Sequence, residues 1–160
     1  MEIENFKECL SKFATGVVVV TTVDRSGAMW GITINSFNSV SLRPPLILFS
    51  IEKKASRYNK FIEHDRFIVN ILSEKQADLS SLFAARNPDP WHRVPYSVNN
   101  LGVPILQGIL SYLDCEIEHL YEGGDHKIIV GRVIVAKKVS DAHPLLYFNR
   151  LYYELGKQYK

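Results

Sequence analysis

The first apolar positions, Ile3, Phe6, Leu10 and Phe13, recur at steps of three and four residues and predict a short amphipathic helix. The period then changes. Val17 to Thr22 (Val-Val-Val-Val-Thr-Thr) reads as a buried β run, and Asp24-Arg25-Ser26-Gly27 as a turn, so the chain should return as a hairpin through Ala28 to Asn35. Pro44-Pro45 punctuates, and Leu46 to Ile51 reads as a third strand. Ala55 to Glu63 looks helical, with Tyr58, Phe61 and Ile62 on one side; Arg66 to Leu72 is another strand; Glu74 to Ala85 is a second internal helix carrying Leu79, Leu82 and Phe83.

Residues 86–104 hold Pro88, Pro90, Pro95 and Pro104 and predict a loop without continuous regular structure. A loop that long in a compact domain is usually functional or tightly packed. Tyr112 to Tyr121 and His126 to Lys138 then form a pair of β runs with Glu122-Gly123-Gly124-Asp125 at the tip. Leu113, Cys115 and Ile117 alternate with Asp114, Glu116 and Glu118, which gives that strand one wet face. The tail, Leu145 to Leu155, carries Tyr147, Phe148, Tyr152 and Tyr153. Six or so strands linked mostly as hairpins, with helices inserted between them, predict a mainly β chain folded as an antiparallel barrel rather than a doubly wound sheet.

Composition narrows the picture. A chain of 160 residues fits one domain, and 46% hydrophobic residues suffice for a core. A net charge of +2 with no basic stripe argues against a nucleic-acid partner. The apolar runs are too short to span a bilayer, and Met1-Glu2-Ile3-Glu4 is unlike a secretory signal. Cys9 and Cys115 have no metal-like spacing and His64, His92, His119, His126 and His143 are scattered, so no metal is expected, and a reducing, cytoplasmic setting is the default. Ser36 lies in Asn-Ser-Phe, not in a nucleophile elbow, and no phosphate-loop or dinucleotide glycine pattern is present.

Three segments carry candidate chemistry. Thr33, Asn35, Ser36, Asn38, Ser39 and Ser41 place six small neutral hydrogen-bonding side chains in nine residues of apparent strand. Such groups suit a planar, polar-edged ligand, since they donate and accept without setting a full charge beside it; the alternative is a half-exposed edge strand running into a Ser/Asn turn. In Glu52-Lys53-Lys54-Ala55-Ser56-Arg57-Tyr58, Ser56 is a natural N-cap and Lys54 and Arg57 could add charge-assisted bonds to a phosphate; the alternative is an ordinary capped helix with solvated cations. His126 opens a strand after a diglycine turn, placed either to hydrogen-bond a ligand amide or carbonyl, or to pair with Asp125 or Glu122. Trp91-His92-Arg93 reads as a lid or a dimer contact.

Taken in order, the sequence resembles the short-chain flavin reductase family, which includes reductase components of two-component flavin monooxygenases. The resemblance runs from Phe13-Ala14-Thr15-Gly16-Val17 through Gly31-Ile32-Thr33-Ile34-Asn35-Ser36-Phe37, Ser39-Val40-Ser41-Leu42, Pro44-Pro45-Leu46, Leu82-Phe83-Ala84 and Val94-Pro95-Tyr96 to Gly123-Gly124-Asp125-His126 and Gly131-Arg132-Val133. It implies a split β-barrel working as a homodimer, with FMN or FAD near the subunit interface and NADH or NADPH as hydride donor. It implies that Thr33, Asn35, Ser36, Phe37, Ser39, Val40 and Ser41 follow the isoalloxazine and ribityl chain, that Ser50, Ala55, Ser56 and Arg57 surround the phosphate, and that Leu82, Phe83 and Ala84 flank the ring. His126 would sit beside the nicotinamide, with Thr15, Gly16, Phe148 and Tyr152 as further candidates for that pocket. It also implies delivery of reduced flavin to a separate oxygenase. A flavin-holding electron carrier and a pyridoxamine-phosphate-oxidase-like enzyme stay open as alternatives. Two departures stand out: Tyr147-Phe148-Asn149-Arg150-Leu151-Tyr152 lacks the glycine of the family's Tyr-x-Arg-Gly-x-Tyr pattern, and residues 86–93 differ from the usual Gly-, Asp- and Lys-containing stretch.

Overall fold

A computed structural model describes residues 1–86 and 89–158. In chain order the elements are α1 (Ile3–Ser11), β1 (Thr15–Gly16), β2 (Val18–Val23), β3 (Met29–Ile34), β4 (Asn38–Leu42), β5 (Pro45–Glu52), α2 (Tyr58–Ile62), β6 (Arg66–Ile71), a 3₁₀ turn (Glu74–Gln76), α3 (Ala77–Ala84), β7 (Tyr96–Val98), β8 (Pro104–Leu106), β9 (Ser111–Gly123), β10 (His126–Lys138), β11 (Leu146–Phe148) and β12 (Leu151–Tyr153).

The main sheet is antiparallel, with strand order β3-β2-β6-β9-β10-β5-β4. Its two edge strands are consecutive in sequence, joined only by residues 35–37. Six inter-strand spacings would set flat edges about 29 Å apart, whereas so short a link reaches at most about 14 Å. The sheet therefore curls until its edges meet at one corner. No ladder joins β3 to β4, so the expected barrel is an open one.

The curl encloses Val18, Val20, Phe49, Phe67, Val69 and Ile129. A second cluster, with Val17, Val19, Leu72, Phe83, Leu106 and Leu145, covers the opposite face of β2. That is why the Val run does not alternate with polar residues: even positions face one core and odd positions the other. Its two threonines are satisfied by carbonyls, Thr21 Oγ1 donating to Pro104 O (2.5 Å) and Thr22 Oγ1 to Arg66 O (2.7 Å).

Several expectations shift. The helix expected over 55–63 shortens to α2, preceded by turns, and the one over 74–85 divides into the 3₁₀ turn and α3. The proline-rich stretch contains the β7–β8 ladder; Asn87 and Pro88 lie outside the described residues. Pro104 is tolerated there because it opens its strand. Trp91 is half-buried: its ring packs edge-on to Phe83 and Tyr96, and Nε1 donates to Met29 O (2.9 Å). The tail folds as a hairpin through Asn149 (φ 51°) and Arg150 (φ 66°). Two consecutive left-handed residues form a type I′ turn, in which glycine is the residue free of strain. Helix α1 buries no residue, and Phe6 and Phe13 are 41% and 76% exposed.

Candidate functional site

A cleft of about 600 Å³ lies between β3, the end of β5, the 53–57 turn and the end of α3. Of the positions singled out in the sequence, it gathers Thr33, Asn35, Ser36, Ser50, Lys54, Ala55, Ser56, Arg57, Ala84 and His126. These come from four separate segments and meet because the sheet curls β3 back toward β5. Three cations, Lys54, Arg57 and Arg86, line it against one carboxylate, Glu52.

Other expected residues are placed elsewhere. Phe37 packs against the inner core, and Leu82 and Phe83 belong to the outer one. Ser39, Val40 and Ser41 lie on edge strand β4, where a register shift at Val40 leaves that side chain 49% exposed. Thr15, Gly16, Phe148 and Tyr152 form a separate three-stranded sheet of β1, β11 and β12, outside the cleft lining. The Thr15 hydroxyl there is buried and has no hydrogen-bond partner among the described residues.

The hydroxyls are more committed than their chemistry alone suggests. Thr33 Oγ1 donates to Ser80 O (2.6 Å), and Ser80 Oγ lies 2.8 Å from the Tyr152 hydroxyl, so the tail hairpin is tied through α3 to β3. Ser36 Oγ donates to Ser50 O and accepts from Ser50 N, both at 3.0 Å. Ser56 does not cap α2; its hydroxyl donates to Arg86 O (2.7 Å). Arg57 is buried, and its guanidinium donates to Gly31 O (2.6 Å), Phe83 O (2.9 Å) and Ala85 O. Burial lowers its pKa.

His126 opens β10, paired with Glu52 on one side and Gly123 on the other. Gly124 makes the tight turn before it with φ 69°. Lys53 pins that turn: its amide donates to Asp125 O (2.9 Å), and its Nζ to Gly124 O (2.7 Å) and Glu122 (2.6 Å). Lys127 is the second partner of Glu122, and with Lys53 it holds that carboxyl at about 2. His126 Nδ1 lies 2.7 Å from Asp125 Oδ1, so the paired reading of this histidine holds, and the bond keeps the Asp125 carboxyl below its usual range. A carboxylate only accepts, so Nδ1 carries the proton and Nε2 is the nitrogen left for a ligand.

Sequence reasoning missed Ile32, Ile34, Ile51, Glu52, Ala85 and Arg86 as cleft residues. Arg86 had a signal: a cation directly after an apolar helix sits where that helix ends. Cys115 is buried, which pushes its thiol well up and keeps it inert. Among the described residues no helix is long and apolar enough to cross a membrane.

Comparison with known proteins gives a consistent result. The flavin reductase like domain matches residues 10–156. The chain is 35% identical, over 92% of its own length and 75% of the relative's, to the HsaB reductase subunit of a flavin-dependent monooxygenase from Rhodococcus jostii. It is 38% identical, over 96% of its length and 87% of the relative's, to the FMN reductase (NADH) SmoA of Agrobacterium fabrum. Among solved structures, the NADH:FAD oxidoreductase of Streptomyces globisporus C-1027 in complex with NAD and FAD fragments superposes with a TM-score of 0.90. That match is 32% identical and covers 96% of this chain and 92% of the other.

Proposed function

The chain belongs to the flavin reductase like family, and on that premise we propose that it is an NAD(P)H-dependent flavin reductase acting in the cleft described above. The observation that carries the reading is the distribution of charge along that cleft. Neutral hydroxyls and an amide line β3 and the 35–37 link, while the cations gather where the 53–57 turn meets the end of α3. That pattern fits a planar ring with heteroatoms on its edge and a phosphate at one end. When bound, the flavin supplies the acceptor for a hydride from the nicotinamide.

The protein's own task is to hold two flat rings together and keep water from between them. Thr33 and Ser36 have given their protons to backbone carbonyls, so toward a ligand they act as acceptors or as shaped wall. The Asn35 amide, the Ser50 hydroxyl and backbone N–H groups are the neutral donors that remain. His126 positions rather than attacks: with Nδ1–H fixed on Asp125, Nε2 can accept a hydrogen bond from a carboxamide.

The reading extends to a homodimer delivering reduced flavin to a separate oxygenase. Its support is α1 and the turn after it, where Ile3, Phe6, Leu10 and Phe13 are exposed. A nine-residue helix gains little from propensity alone and needs its apolar face packed. Sedimentation should return twice the 18.3 kDa chain mass, and the single-chain mass counts against the dimer.

The enzymatic test is titration with FMN and with FAD, followed by NADH under nitrogen. The expected result is bleaching of the flavin absorbance and continued NADH oxidation while free flavin lasts. Oxidation that halts after one equivalent per bound flavin would leave a carrier and sink the reductase reading.

A further inference from the structure

Arg57 stands on the turn expected to hold a phosphate, yet its bonds run elsewhere. It is 5% exposed, and burial alone accounts for its lowered pKa, with no carboxylate contributing. Its three bonds go to backbone carbonyls from two other elements: Gly31 on β3, and Phe83 and Ala85 at the end of α3. The last carbonyls of a helix have no partner within it. At α3 the usual glycine cap is missing: Ala85 is extended (φ −61°, ψ 152°). A cation there also meets the negative end of the helix dipole.

The fork reaches β3 at a point of close packing. A Cβ at Gly31 would lie 2.6 Å from Phe83 Cδ1, so strand and helix touch with nothing between them. Ser56, one residue earlier, donates to Arg86 O and draws the segment after α3 toward the same turn. The 56–57 pair therefore fastens two walls of the cleft to its floor.

We propose that Arg57 is a positioning residue, a buried guanidinium that caps the carboxyl end of α3, ties it to β3 and so sets the width of the cleft. A planar fork holds its donors in a fixed geometry that spans carbonyls on two elements; an ammonium is a compact point charge without that reach. The proposal deepens the flavin reading of the same cleft and rests on it for one arm of its test.

The test compares wild type, Arg57→Lys and Arg57→Gln for binding of riboflavin and of FMN, which differ by the phosphate. A cleft-width role predicts that Arg57→Lys weakens both by the same factor, roughly tenfold. Flavin KM should rise by a similar factor with NADH KM unchanged. In the absence of flavin, amides 82–86 should exchange faster in Arg57→Lys than in wild type, with β2 and β6 unchanged. Loss confined to FMN would make Arg57 a phosphate ligand and overturn the proposal, as would no loss for either flavin or unchanged exchange at 82–86. Should Arg57→Gln fail to fold, Arg57→Lys decides alone. Wild type that binds neither flavin would overturn the flavin reading, and the exchange measurement, which needs no flavin, would still judge Arg57.

Discussion

Replacing Gly31 by alanine should damage the protein through Phe83 and nothing else. Gly31 has ordinary strand backbone, so space is the only obstacle to a side chain. The new methyl would overlap the edge of a ring that is fully buried and braced by Trp91, with ring centroids 5.3 Å apart. Overpacking of this kind costs about 1–3 kcal/mol, and the stiffer unfolded chain offsets about 0.4–1 kcal/mol of it, leaving about 1–2 kcal/mol of destabilisation. Phe83→Leu alone should cost on the order of 1–2 kcal/mol through lost packing. Together the two changes should relieve each other, because the shorter side chain vacates the space the methyl needs. Urea unfolding of all four proteins at one protein concentration measures this, with unchanged m-values as the control. The double variant should be less destabilised than the sum of the singles by about 1 kcal/mol or more. Additivity within about 0.5 kcal/mol would refute the steric account and the close packing of β3 on α3 with it.

Replacing His126 by alanine should raise NADH KM roughly three- to tenfold, the worth of one hydrogen bond, with flavin affinity nearly unchanged; unchanged KM and turnover would remove its assigned role. Arg150→Gly should stabilise the tail hairpin by about 0.5–1 kcal/mol, since relief of about 1–2 kcal/mol of left-handed strain at φ 66° is partly offset by the looser unfolded chain, and a thermal melt no higher than wild type would count against that. Glu122→Gln should lower the melting temperature at neutral pH. The Glu122 carboxyl is held at about 2 by Lys127 and Lys53, so its stabilisation is complete above the ordinary carboxylate range and disappears as pH falls toward 2. The gap between wild type and variant should close over that window; a gap independent of pH would mean the ion pairs contribute nothing. Thr33→Val should loosen β3 from α3 by removing the bond to Ser80 O, seen as faster amide exchange in α3.

The strands and their order along the chain were legible because apolar alternation and turn residues act locally: 18–23, 66–71 and the long hairpin of β9 and β10 follow the pattern closely. The extra ladder in the proline-rich stretch was not, because it is held by distant partners. The Asn70 amide, buried on β6, accepts from Leu106 N (2.9 Å) and so recruits β8. The cleft was half legible. The polar ribbon announced a site, but the sequence pattern ran it straight through β4, whereas the chain breaks at 35–37 and carries Ser39 and Ser41 to the far edge of the sheet. Arg57 and Ser56 looked like free donors because a sequence displays a side chain's capacity and not the carbonyls that use it.

The pair of hydrogen bonds between Ser36 and Ser50 gives the open sheet its seam. One hydroxyl stands in for a whole peptide group, lending β5 both the donor and the acceptor that a neighbouring strand would otherwise provide. That stitch sits in the tripeptide that forms one lip of the hollow, where Phe37 also anchors the chain in the inner core. A methyl in place of that oxygen would leave the Ser50 N–H and carbonyl without this partner at the rim of the hollow.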